Sequence, residues 1–216
     1  MFYWRCSAFL KEGIFIKLKK SVWAKALGAL LLFTLLCGLL YPLAVTGISQ
    51  ALFHNQANGS IIEINGKKYG SALLAQQFTG DGYLWGRIMN LDTKTHTDSN
   101  GKVMMYASPS NVSPASEQYK KLVQERVDKI KAAHPEKKDV PVPEDLVTCS
   151  GSGLDPDISP AAAEYQAERI ARVRNIPVQQ VRDIVAKYTG GKFLNVFGED
   201  TVNVLKVNLA LDGILK

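Results

Sequence analysis

The side chains best suited to chemistry crowd into one stretch, Asp145 to Pro160, DLVTCSGSGLDPDISP. Ser150 and Ser152 alternate there with Gly151 and Gly153, and Asp155 and Asp157 follow. A serine nucleophile needs a base within hydrogen-bond reach, and the nearest candidates in sequence are Asp155 and Asp157. A phosphate-cradling P-loop needs a lysine and a Ser or Thr at fixed positions, and neither is here. Two readings follow. Gly151 and Gly153 let a backbone approach another surface closely, with Asp155 and Asp157 pairing with a basic partner or concentrating cations. Alternatively, Asp155-Pro156 and Ser159-Pro160 build a turn that feeds the next helix. Cys149 adjoins the stretch. A catalytic thiol needs a base beside it, and His54, His96 and His134 are scattered, so Cys149 reads as a small buried hydrophobe. Three dispersed histidines and one reachable cysteine do not make a metal site. A second cluster, Phe78, Tyr83 and Trp85, is broken up by Gly80, Gly82 and Gly86, with Arg87 next to it. Aromatics among glycines form either a docking surface or a small core.

The element that must position all of this lies upstream. Ala26 to Phe53 carries no charged side chain. A hydrocarbon core roughly 30 Å thick is crossed by about 20 apolar residues, and lipid forces such a segment to be helical. Pro42 frees one carbonyl, which predicts a kink or a helix that loosens past Tyr41. Trp23 stands at one end of the run and Tyr41 and Phe53 towards the other, where aromatic rings favour the interface. A secretory signal would have a shorter apolar core, a shorter basic leader and a small-residue cleavage site. Before the span, Arg5, Lys11, Lys17, Lys19, Lys20 and Lys25 face only Glu12; beyond it, 20 Lys and Arg nearly balance 19 Asp and Glu. The formal +6 is thus a topology signal, not a nucleic-acid patch. The positive-inside rule places 1–25 in the cytoplasm as a basic leader, 26–53 as the membrane helix with its interfacial end, and 54–216 outside. Cys6 and Cys37 cannot reach Cys149 in that topology, so no disulfide framework is expected.

Past the membrane the expected class is α+β, one extracytoplasmic domain with short strands and about four helices. Asn58-Gly59 signals a turn, and Asn65-Gly66 predicts a hairpin with Lys67 to Gly70 returning. Leu91 to Val112 reads as a long polar loop of a length that usually serves a function. Asn58-Gly59-Ser60 and Asn111-Val112-Ser113 match the glycosylation pattern, which short sequences meet by chance. Ser113-Pro114 predicts a helix start, with Tyr119, Leu122, Val123, Val127 and Ile130 on one face and Pro135 as its end. A charged, proline-punctuated linker spans Glu136 to Glu144. Pro160 to Arg174 predicts a helix with Ala163, Ala167 and Ile170 inward, and Pro177 starts another that Thr189-Gly190-Gly191 stops. Thr201 to Leu215 fits a strand by its odd positions and a helix capped by Asn203 by its length, and the length favours the helix.

Several of these segments together resemble one family, the C subunit of the bacterial Kdp potassium-transporting ATPase, KdpC. The resemblance runs through Tyr41-Pro42-Leu43, Gln56 to Ser60, Gly70 to Gln76, Tyr83-Leu84-Trp85-Gly86-Arg87, Asp145 to Thr148, Ser150 to Pro156, Ile158 to Pro160, Val202 to Leu205 and Asn208 to Asp212. Many members have Pro-Ser after the Gly-Arg pair, where this chain has Ile88-Met89. The resemblance implies a single-span subunit of the bacterial plasma membrane that neither conducts the ion nor is phosphorylated. It has no cofactor of its own, and ATP and potassium act at the level of the complex. The implied partners are a channel-like potassium-binding subunit, a P-type ATP-hydrolysing subunit and the bilayer. The family is described as a chaperone that raises the pump subunit's affinity for ATP. An outside domain cannot touch cytoplasmic ATP, so support of the channel-like subunit from outside is the preferred expectation. Ser150, Gly151, Ser152, Gly153, Asp155, Asp157, Tyr83, Trp85 and Arg87 are the candidate docking residues. The rivals from other classes are a membrane-tethered hydrolase using Ser150 or Ser152 and a single-pass binding protein.

Overall fold

A computed structural model describes the backbone of residues 8–216 and the side chains of 22–216. The chain divides into two units, Met1–Asn58 and Gly59–Lys216. Arg5, Lys11, Glu12, Lys17, Lys19 and Lys20, on which the expected orientation rests, have side chains outside the described residues.

In the first unit, α1 (Ala8–Leu35) runs into a π-helical turn, Leu36–Leu40, and then into α2 (Tyr41–Leu52). Within it, Val22–Leu52 is 31 residues long and its most apolar 18-residue window has a mean hydropathy of 2.2, enough to cross a bilayer. The helix does not loosen past Tyr41. The adjustment comes before the proline, where the Tyr41 N–H donates to the Leu36 carbonyl, five residues back. That wider turn accommodates the hydrogen bond Pro42 cannot make, and the helix resumes at once. Phe53, at φ −131°, ends it. A single turn, α3 (His54–Ala57), follows, closed by Asn58 donating to the His54 carbonyl at 2.7 Å and to Gln50 at 3.0 Å.

The second unit begins with the hairpin of β1 (Ile61–Ile64) and β2 (Lys67–Ser71). Asn65 and Gly66 both take positive φ, 52° and 76°, which is the twist a two-residue hairpin requires. The stretch from Leu91 is not wholly irregular: β3 (Leu91–Asp92) pairs with β4 (Tyr106–Ala107), an arrangement too short to show an alternating pattern. The next helix, α4 (Glu117–Ala133), is capped by Ser116, whose hydroxyl accepts from the Tyr119 N–H. Ser113-Pro114 instead makes the turn before it, with the Ser116 N–H bonded to the Ser113 carbonyl. Both serines satisfy the sequence rule, and the one whose oxygen reaches a free amide wins.

The core lies where three helices meet a small sheet. In the sheet, β5 (Asp157–Ile158) and β6 (Thr189–Gly190) flank β7 (Thr201–Asn203), all antiparallel. The first core helix, α5 (Pro160–Arg174), is capped by Ser159 and ends on Asn175 in the left-handed region. It buries Ala162, Ala163, Ala167 and Ile170, and its small alanines allow close approach. α6 (Val178–Lys187) contributes Val181, and α7 (Val204–Leu211) contributes Val204 and Val207. Each fully buried Val or Ile contributes about 1.5–3 kcal/mol. Thr201 to Leu215 resolves into both expected forms, a strand and then a helix whose cap, Asn203, accepts from the Lys206 N–H at 3.1 Å.

Candidate functional site

Asp81 to Trp85 has no regular secondary structure, so its buried backbone groups need partners from elsewhere. Side chains supply them. Asn208 of α7 lies against Leu84 as a strand would, accepting from its N–H at 2.8 Å and donating to its carbonyl at 2.9 Å. Gln166 of α5 does the same for Trp85, accepting from its N–H at 2.8 Å and donating to its carbonyl at 3.0 Å. Arg169, one turn on and fully buried, donates to the carbonyls of Asp81 and Tyr83 and to Gln166 Oε1. Its guanidinium lies 4.0 Å from the centre of the Trp85 ring.

The remaining donor of Arg169, Nε, bonds to His134 Nε2 at 2.9 Å. A guanidinium only donates, so Nε2 must accept and the imidazole is neutral with its proton on Nδ1. That proton is given to the Ile130 carbonyl at 2.7 Å. Burial holds the His134 pKa below the usual imidazole value, and the neighbouring Arg169 charge acts the same way. Burial also pulls Arg169 down to about 10, which leaves it charged at neutral pH. A buried charge without a bonded carboxylate is costly, and here carbonyls, an amide, an imidazole and an indole face share it.

The outcome is a rigid platform. Tyr83 packs on Phe78 with ring centres 5.4 Å apart, has the Arg174 guanidinium 4.8 Å from its ring centre and donates to Asp212 at 3.2 Å. Trp85 Nε1 donates to the Gly80 carbonyl at 2.9 Å. The aromatic cluster therefore takes the form of a small, half-buried core. Arg87 leaves the platform towards the Asp145–Pro160 stretch and bonds to Asp155 at 3.3 Å and to Thr148 at 3.3 Å. The two candidate groups thus meet at one junction, reinforced by a parallel bridge between Ile88 and Cys149. Arg87 Nε is buried without a partner among the described residues. Beside it opens a cavity of about 160 Å³ whose mixed apolar and polar lining includes Phe78, Trp85 and Leu146 and the cations Arg87, Arg126 and Lys129.

Within the stretch itself the polar groups bond to one another and to nearby backbone. Ser150 Oγ accepts from the Gly153 N–H at 3.0 Å and lies 3.2 Å from Ser152 Oγ, which accepts from the Leu154 N–H. These bonds join the two hydroxyls to backbone and to each other. Asp155 also receives the Asp157 N–H, and Asp157 receives Asn203 Nδ2 at 2.8 Å. Gly153, at φ +71°, lies so close to Asn90 and Ser108 that an added Cβ would meet the Ser108 carbonyl. The close approach expected of Gly153 is therefore made to its own domain, whereas Gly151 has open space around its Cα. Cys149 is half-buried rather than buried, and its thiol donates to the Ser150 carbonyl at 3.3 Å.

Sequence reasoning passed over Gln166, Arg169 and His134. Gln166 and Arg169 share the α5 face of Ala163, Ala167 and Ile170, and polar groups on an apolar stripe are the signal that points to them.

The sequence model of the family described as "KdpC: K+-transporting ATPase, c chain" matches residues 23–213. The potassium-transporting ATPase KdpC subunit of Clostridium botulinum (strain Eklund 17B / Type B) is 62% identical over 197 residues, 91% of this chain and 98% of that one. Its namesake in Clostridium perfringens is 62% identical over 192 residues, 89% of this chain and 97% of the relative. That of Methylococcus capsulatus is 47% identical over 189 residues, 88% and 96% of the two chains. The match covers the apolar helix and the domain beyond it alike, so the resemblance read from scattered segments holds along the chain, which belongs to the KdpC family.

Proposed function

We propose that this chain serves as the accessory KdpC subunit of a potassium-transporting P-type ATPase in the bacterial plasma membrane. Its span anchors it, the basic leader faces the cytoplasm, and the domain from Gly59 stands outside. There the platform around Tyr83, Trp85 and Arg87 docks on the channel-like subunit, holds the complex together and passes its state towards the ATP-hydrolysing subunit. One observation carries this reading: an irregular, half-buried segment is held by Gln166, Arg169 and Asn208 through six of its backbone groups. Such pre-organisation lowers the ordering cost of association. ATP and potassium act at the level of the complex. In this topology any effect on ATP affinity travels through the partner subunits.

Two measurements test it. Affinity purification of the full chain from native membranes should retain the other subunits of the transporter. Protease added outside intact spheroplasts should digest the outer domain and spare the leader. A leader cut from outside overturns the topology. Nucleotide binding by the full chain in the absence of its partners would favour the ATP-chaperone role instead.

A further inference from the structure

The connection between β6 and β7 ends in an apolar tip. Phe193, Leu194, Val196 and Phe197 are 71%, 71%, 72% and 63% exposed. The tip is ordered by its own backbone: the Phe193 N–H bonds to the Phe197 carbonyl at 2.8 Å, and the Lys192 N–H bonds to Asp200 at 3.2 Å. Leu194 sits at φ +53°, where a leucine is strained and a glycine or asparagine is at ease. Exposing a leucine in a strained conformation costs the isolated domain twice, and such strain concentrates at binding sites.

Size and charge select the occupant. Taking about 150–250 Å² per aromatic side chain, the four residues present roughly 450 Å² of apolar surface. That is near the largest patch of an ordinary monomer, often a functional one. A stable dimer needs about 800 Å² per partner, so the tip is too small to pair two copies of this chain by itself. A bilayer fits poorly as well. Glu199 and Asp200 outnumber Lys192 at the base of the tip, so an anionic leaflet repels it on balance. A small anchor suffices, however, for a partner that the membrane span already holds nearby, because the second contact is then effectively intramolecular.

We propose that Phe193–Phe197 is a docking knob for another subunit of the same transporter, seated in an apolar cleft with a basic rim on that subunit's extracytoplasmic face. The cleft takes the rings, and its rim meets Glu199 and Asp200. This rests on the assembly reading given above, and the test separates the two. Val196→p-benzoyl-phenylalanine in the full chain, co-expressed with its partner subunits and irradiated in native membranes, should yield an adduct with one of those subunits, mapped to an outward loop. Phe193→Ser with Phe197→Ser should weaken retention of the partners at least tenfold while the melting temperature of the chain is unchanged. Lipid adducts or a cross-linked pair of this chain would overturn the proposal. So would no adduct, or unchanged retention, in a complex that otherwise co-purifies, which leaves the assembly reading standing. A wild-type chain that purifies without partners removes both.

Discussion

Replacing Arg169 with methionine keeps a flexible, unbranched stem and removes every donor that this side chain gives to the platform. Three acceptors lose their partner, the carbonyls of Asp81 and Tyr83 and His134 Nε2, while Gln166 Oε1 keeps the Trp85 N–H. Leaving a buried polar group unsatisfied costs about 1–3 kcal/mol each. Against this, the variant no longer buries a charge, which returns part of the loss. The net expectation is a destabilisation of about 3–5 kcal/mol, the lower part of the sum over three orphaned acceptors once the returned desolvation is taken off. For a domain of this size that lowers the melting temperature by about 6–20 °C, at 2–4 °C per kcal/mol. The assay is thermal unfolding of the detergent-solubilised chain followed by tryptophan fluorescence, since Arg169 lies over the Trp85 ring. Arg169→Lys separates charge from geometry. A lysine keeps the charge but cannot reach four acceptors from one flat fork, so it should lose most of the same stability. A loss under about 1 kcal/mol for Arg169→Met, far below the cost of even two orphaned acceptors, would refute the account. Full stability of Arg169→Lys would refute the role assigned to the fork.

His134 gives a pH signature. Its folded pKa is depressed by burial, so below the unfolded value of about 6.5 the unfolded chain binds the proton that the folded chain refuses. Stability is then fully present above that value and falls as the pH drops through it. Melting temperatures of the chain from pH 8 to pH 5 should show the fall, and His134→Gln, which does not titrate, should flatten it; identical profiles would count against the neutral imidazole. The two glycines of the Asp145–Pro160 stretch should behave in opposite ways. Gly153→Ala meets the Ser108 carbonyl at φ +71° and should cost at least about 2 kcal/mol, by strain and overpacking. Gly151→Ala has open space and should stay within about 1 kcal/mol of neutral, in urea titrations of both variants.

What the sequence determined by itself is local. The charge-free run announces a membrane helix because every residue in it meets the same solvent. Asn65-Gly66 announces a hairpin, Ser159-Pro160 a helix start and Asn203 a cap, because each acts on backbone within a few residues of itself. Even the missed cap, Ser116 in place of Ser113, is a choice between two adequate local signals. The π turn before Pro42 shows where a local rule names a disturbance but not the turn that absorbs it. Tertiary structure alone decided the strands of two or three residues, which pair across two helices or a loop and are too short to carry a pattern. It alone brought Arg87 to Asp155, and His134 to Arg169. It also turned Gln166, Arg169 and Asn208 towards the backbone of residues 81–85. Those bonds join residues more than eighty positions apart, so they form only once α5 and α7 have packed. A polar side chain at an inward position tells that it needs a partner, and only the folded chain supplies which one.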